Sequence, residues 1–323
     1  MRESCRRWAS RGLLLGAVLV LLAGCADEPP IRLGTNVFPG YEPLYLAREI
    51  GLLDADCVRL VEYVSATQVS TALANGAVDA VTVTLDEALL LASRGIDLRV
   101  VAVTDYSNGT DAVLGRGEVR TLADIAGRRV GVETTALGSY MLARTLAHAG
   151  LEESDVEIVG LELHEQEPAF AAGRIDAVVT FDPVRQRLVE AGASVLFDSR
   201  SIPGEIVDLI AVAADVATER TECLRGLVTA WHGALKHLRD APEAARAAMQ
   251  PRLGLEPEQI RVALDGLHFP SRAETARMLG GATPALAAVS RQVRDVMERS
   301  GILEDGHPES RLIDTALTDR LYQ

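Results

Sequence analysis

The chain has 323 residues, with 46 acidic side chains against 32 basic and a formal net charge of −14. That length suits two domains or one two-lobed unit. A surface this acidic repels nucleic acid and anionic lipid headgroups, so neither is expected as a partner.

Residues 1–24 read as an export signal. Arg2, Arg6, Arg7 and Arg11 precede an unbroken small and apolar run from Leu13 to Leu22. This is the positive-then-apolar plan of a secretory leader, and the run is short for a membrane span. It stops at Leu22-Ala23-Gly24-Cys25, which resembles a bacterial lipoprotein box. The resemblance implies that Cys25 becomes the first mature residue and carries lipid, so the protein is expected outside the cytoplasm and anchored to the membrane. Residues 25–30 then form a tether closed by Pro29-Pro30. Loss of a leader with four Arg and one Glu takes the net charge to about −17. Cys57 and Cys223 remain; in an exported chain they pair or stay as two buried thiols. There is no CxxC or Cys/His cluster, so no structural metal or cofactor is expected.

From residue 31 the pattern alternates. Strands are predicted at 32–36, 58–63, 79–84, 98–104, 129–133, 156–161, 175–180, 194–197 and 209–213. Helical spacing falls between them at 43–50, 68–75, 87–93, 122–125, 138–149, 168–172 and 184–191. Apolar strands separated by helices imply parallel sheet covered on both faces. After Asp215 the pattern turns helical, over 221–238, 242–249, 257–264, 272–279, 284–299 and 311–321, with Pro near several starts and Gly near the ends. No strand pattern is evident there.

One phrase occurs twice. Gly76-Ala-Val-Asp79-Ala-Val-Thr-Val-Thr84 matches Gly173-Arg-Ile-Asp176-Ala-Val-Val-Thr180. Each copy follows a small-residue helix and runs through a strand to a Thr and nearby acids. Two such units imply two similar α/β lobes, with ligands at the carboxyl ends of the strands. Turn-prone residues 105–109 and 199–204 mark the places where the chain passes between lobes. Lobe one is then 31–107 plus 205–323, and lobe two is 108–204.

The predicted strand ends collect particular residue types. Phe38, Tyr41, Tyr106, Tyr140 and Phe181 fall there, in a chain with only 5 Phe and 6 Tyr. Glu42, Asp86, Glu87, Asp105, Glu133 and Asp182 fall there too, and Arg185 is the nearest basic residue. Asp86 and Glu87 open a helix, where acids complement the dipole; Asp105 and Glu133 have no such reason. Acids with aromatics suit a cationic or neutral nitrogenous solute. An anion would use helix N–H groups and a basic side chain. No HExxH, GxSxG, phosphate loop or GxGxxG is present, so no enzyme is expected. His164 has no second catalytic group beside it.

In order along the chain stand Leu33-Gly-Thr-Asn36, Gly51-Leu-Leu53, Ala74-Asn-Gly-Ala-Val-Asp79-Ala80, Asp105-Tyr-Ser-Asn-Gly-Thr-Asp111, Leu122-Ala-Asp-Ile-Ala-Gly-Arg-Arg-Val-Gly-Val132 and Ala172-Gly-Arg-Ile-Asp176-Ala177. Together they resemble the solute-binding lipoproteins of ABC importers, in the nitrate/sulfonate/taurine group, related to binders of thiamine-pyrimidine precursors. The resemblance implies a type II periplasmic-binding-protein fold, with two doubly wound lobes and a helical C-terminal extension. It also implies a monomer that holds a small molecule between its lobes and hands it to a membrane permease. Tyr41, Thr67, Thr84, Ser107, Asn108, Thr134, Ser139 and Asp182 fall where such proteins contact ligand. Phe38, Glu42, Asp105, Glu133, Tyr140 and Phe181 join them from the strand-end reading. The basic cleft residue of a sulfonate or nitrate site is missing. A sulfonate- or nitrate-type anion binder of the same family, an exported ligand sensor and a pyrimidine-precursor enzyme are the alternative roles.

Overall fold

The computed structural model describes residues 28–304 and 311–323, so the export signal and Cys25 lie outside the described residues. Residues 28–30 form no regular element; residues 31–323 belong to one unit. Eleven strands are present among the described residues: β1 Ile31–Asn36, β2 Val58–Tyr63, β3 Ala80–Thr84, β4 Leu98–Ser107, β5 Ala112–Gly115, β6 Arg129–Val132, β7 Glu157–Gly160, β8 Ala177–Thr180, β9 Ser194–Asp198, β10 Val207–Ala213 and β11 Leu267–His268. They make two sheets. One has the order β11-β4-β10-β3-β1-β2, the other β7-β6-β8-β5-β9. Helices cover both, giving the α/β periplasmic-binding-protein fold expected from the sequence.

The sheets are mixed rather than wholly parallel. β1 runs parallel to β2 and β3, and β6 runs parallel to β7 and β8. β10 is antiparallel to β3 and β4, and β5 is antiparallel to β8 and β9. The two reversed strands are the ones that follow each passage between sheets. A strand that enters a sheet from its mouth must run against its neighbours. The four-residue β5 escapes the sequence pattern because it is as apolar as a buried helix segment and too short to show a period. β11 corrects the all-helical reading of the tail: two residues add to the edge of β4.

The repeated phrase is a repeated structure. Asp79 receives hydrogen bonds from the backbone N–H and the guanidinium of Arg32, and the same guanidinium reaches the Gly76 carbonyl. Asp176 receives the same set from Arg129, whose guanidinium reaches Gly173. Gly76 and Gly173 lie at φ +67° and +68°, a conformation that costs a side chain its Cβ clearance. Both brackets lie at the amino ends of the strands. The carboxyl ends of the strands meet at the other edge.

Helix Thr221–Asp240 buries Leu224, Leu227, Val228, Trp231 and Leu235 on one stripe. That spacing fits an amphipathic helix. It packs against helix Glu42–Glu49, and a Cys57–Cys223 disulfide ties it to the loop before β2. The two passages between sheets touch. The Ser107 and Ser199 hydroxyls share a hydrogen bond of 2.7 Å, and Ser199 Oγ also accepts from the Gly109 N–H at 2.6 Å. Ser199 N–H donates to the Asp111 carbonyl at 3.0 Å.

Candidate functional site

The first sheet brings its carboxyl edge together in one row. Asp208 is the second residue of β10 and sits in register with Thr84 on β3 and Asp105 on β4. Asp105 and Asp208 are both buried. Like charges directly opposite each other repel, so the pair favours holding a proton. Burial pushes Asp105 up to about 8 and raises Asp208 well above the carboxylate range, with Asp105 adding to the effect. Tyr41 donates its hydroxyl to Asp208. The turn that carries it leaves no room for a side chain at Gly40, where a Cβ would come 2.4 Å from Asp105 Oδ2. Helix Leu85–Ser93 starts at the end of β3, and its first turn places Asp86 and Glu87 beside the row. Both are buried, and burial lifts each to about 7. Glu87 Oε2 accepts from the Thr84 N–H at 3.1 Å.

The second sheet supplies the facing wall. Glu133 follows β6, Asp111 precedes β5, and Phe181 and Asp182 follow β8. Glu133 and Asp111 are pushed up to about 7 and Asp182 to about 6, burial being the main cause in each case. The Arg185 guanidinium lies 3.7 Å from Asp182. Phe38 stands edge-on to Tyr41 at 5.0 Å and to Phe181 at 5.7 Å, so aromatics from both walls meet. The space between them is narrow and partly open to solvent. Asn36, Thr84, Glu87, Asp111, Glu133 and Asp208 supply its polar lining.

Five of the residues singled out from the sequence line this space: Phe38, Tyr41, Thr84, Glu133 and Phe181. Asp105 stands behind Asp208, and Asp182 is buried against Arg185. The others point elsewhere. Glu42 is buried against helix Pro242–Leu253 and accepts from Arg252 Nε at 3.0 and 3.1 Å. Tyr140 turns into the core and donates to Glu205 at 2.6 Å. Ser107 ties the passages, and exposed Asn108 donates its N–H to the Gly266 carbonyl. Thr67, Thr134 and Ser139 line neighbouring grooves instead, although the Thr67 backbone N–H lies against Glu133. His164 is exposed on helix Leu163–Ala171.

Sequence reasoning missed Asp208 and Asp111 and set Glu87 aside as a dipole partner. The signal for Asp111 was present, since it closes the Asp105–Asp111 stretch after the first passage. Asp208 is the lone acid in an apolar strand, which is an unusual place for an unpaired charge. Glu87 does cap its helix, and it also lines the space; the two roles coexist.

Residues 24–251 match the NMT1-like family. A chain of Escherichia coli (strain K12) named for the binding of aliphatic sulfonates is 24% identical over 250 residues, covering 75% of this chain and 78% of that one. The taurine-binding periplasmic protein of the same organism is 24% identical over 164 residues, covering 50% of this chain and 51% of that one. Among solved structures, the alkanesulfonate-binding protein SsuA from Xanthomonas axonopodis pv. citri, bound to MOPS, superposes with a TM-score of 0.73. It shares 19% identity, with 90% of this chain and 98% of that chain covered. The match to more than half of the sequence and the two-sheet fold agree: the chain belongs to the NMT1-like family.

Proposed function

We propose that this chain is the extracytoplasmic solute-binding component of an ABC importer, and that it captures a small organic cation bearing nitrogen. Residues 31–107 with 205–323 form one lobe and 108–204 the other. The solute sits between them, and closure on it presents the surface that a permease recognises. One observation carries this reading. Glu87, Asp111, Glu133 and Asp208 line one space, and Asp86, Asp105 and Asp182 are buried at the same strand ends; among the described residues this group's ion pair is that of Asp182 with Arg185. Each carboxyl holds its proton more firmly than usual because charge there lacks solvation. A bound cation supplies the missing partner.

The names of the relatives suggest sulfonates. A sulfonate placed here would meet acids instead of a basic group, and each of them that is ionised opposes binding by about 4 kcal/mol at 4 Å and an effective dielectric of 20. The chemistry of the cleft therefore outweighs the names. Transport rather than turnover fits the site, whose polar groups are acids and hydroxyls without an activated nucleophile beside a base.

A thermal-shift screen of the purified protein tests the proposal, because a ligand that binds the folded state raises the transition temperature by mass action. Guanidines, amidines and amines are expected to stabilise it, and sulfonates and nitrate to leave it unchanged. Stabilisation by sulfonates alone sinks the proposal. Lipid attachment at Cys25 is a separate part of it. Palmitate labelling of the wild type that is absent from Cys25→Ala is expected; equal labelling of the two removes the anchor.

A further inference from the structure

Two buried polar groups near the cation site have no part in it, Gln166 and Thr180. Gln166, on helix Leu163–Ala171, is 0% exposed. Its Nε2 donates to the Val179 carbonyl at 3.1 Å. A carbonyl only accepts, so the amide must present its nitrogen there and turn its oxygen away. That oxygen has no partner among the described residues. Gln166 lines a second, narrow space beside the cleft. Thr180, buried and with an equally unpartnered hydroxyl, lines the same cavity.

This cavity and the cleft share Asp111, Glu133 and Phe181 as walls, so the two spaces adjoin. Asp208 and Glu87 stand at the near end. Gln166 and Thr180 line only the second space, while Asp111 and Glu133 line both. Leu137, Met141 and Phe181 give the passage apolar sides. A buried acceptor without a donor is costly, and an amide oxygen cannot supply a proton of its own. A group that only donates, such as an ammonium or amidinium, would satisfy it. A monocation held at the near end would leave the far acceptors unpaired.

We infer that the solute carries a second positively charged, N–H-bearing group, and that Gln166, Thr180 and Glu133 form the subsite that receives it. The ligand class is a short α,ω-diamine, or an amine joined to an amidine by a few methylenes. The inference rests on the cation reading of the cleft and narrows it.

The test is titration calorimetry of the mature protein. The probes are α,ω-diamines of two to five carbons, the n-alkylamines of matching length, and ethanesulfonate. One diamine is expected to bind about thirtyfold more tightly than its matched monoamine, the effect of a second charge-assisted hydrogen bond set. Gln166→Met and Thr180→Val are each expected to lower the diamine-to-monoamine affinity ratio about tenfold. Thr180→Val is nearly isosteric and removes a hydroxyl that bonds nothing, so it remains informative if Gln166→Met does not fold. Equal affinity for diamine and monoamine overturns the inference and leaves the cation reading standing. A ratio unmoved by either variant overturns the subsite. Absence of binding by every diamine overturns the inference, and binding of ethanesulfonate alone overturns the cation reading as well.

Discussion

The two ends of the strands treat the same chemical group in opposite ways. At the amino ends, Asp79 and Asp176 each sit in an arginine bracket, and their hydrogen bonds to Arg32 and Arg129 hold both carboxyls below the usual range. At the carboxyl ends, roughly 16 Å along β3, Asp208, Glu87 and their neighbours are buried without such a bracket and are pushed the other way. The sheets are the same and the residue types are the same. The difference is whether the fold itself supplies a cation. Where it does, the acid holds the scaffold together; where it does not, the acid is left for something from outside.

The sharpest break of this comparison is the double variant Glu87→Gln with Glu133→Gln. It takes one carboxylate from each wall, and affinity for an organic cation is expected to fall about a hundredfold or more by calorimetry, at 1.5–3 kcal/mol for each charge-assisted hydrogen bond. Unchanged affinity would place the solute elsewhere. A pH series comes next. The cleft acids bind protons more tightly folded than unfolded, so the stability they contribute is present below about pH 4 and is lost as pH rises through about 6 to 8. The ligand-free protein should lose about 2 kcal/mol or more between pH 5 and pH 8 in urea melts. Cation affinity should rise over the same window, with protons released on binding. A flat profile would mean that the cleft acids are ordinary ones.

Breaking a bracket should do the reverse. Asp79→Ala strands the Arg32 N–H and guanidinium and is expected to cost about 2 kcal/mol of stability, reduced from the sum of its bonds because the pair is partly solvated. Ligand affinity should not change; a loss there would show that the two ends are coupled. The smallest effect belongs to Tyr41→Phe, which removes one hydrogen bond to Asp208 and keeps the ring packed on Phe38. About a threefold change in affinity is expected, and no change would mean that Asp208 is neutral in the complex.

Much of the fold was legible because the repeated phrase encodes a repeated bracket. The glycine allows the left-handed turn, the aspartate takes the arginine, and the apolar strand follows. The aromatics Phe38 and Phe181 were legible as cleft residues because they sit just past strand ends. Glu42 and Tyr140 sit near strand ends as well, but both are in helices, and helical rotation sends them to Arg252 and Glu205, distant in sequence. Asp208 was hidden for a different reason. Its place opposite Asp105 and Thr84 depends on the reversed direction of β10, and direction leaves no trace in an apolar run. Gln166 was hidden because only the Val179 carbonyl decides which way its amide faces.

The bond between Ser107 and Ser199 joins positions 92 residues apart, one on each route between the sheets. Two connectors fastened at one point cannot bend separately. In the proposed trap, opening and shutting would turn about one axis near that bond, as a book turns on its spine, and a solute would pass through the gap farthest from the spine.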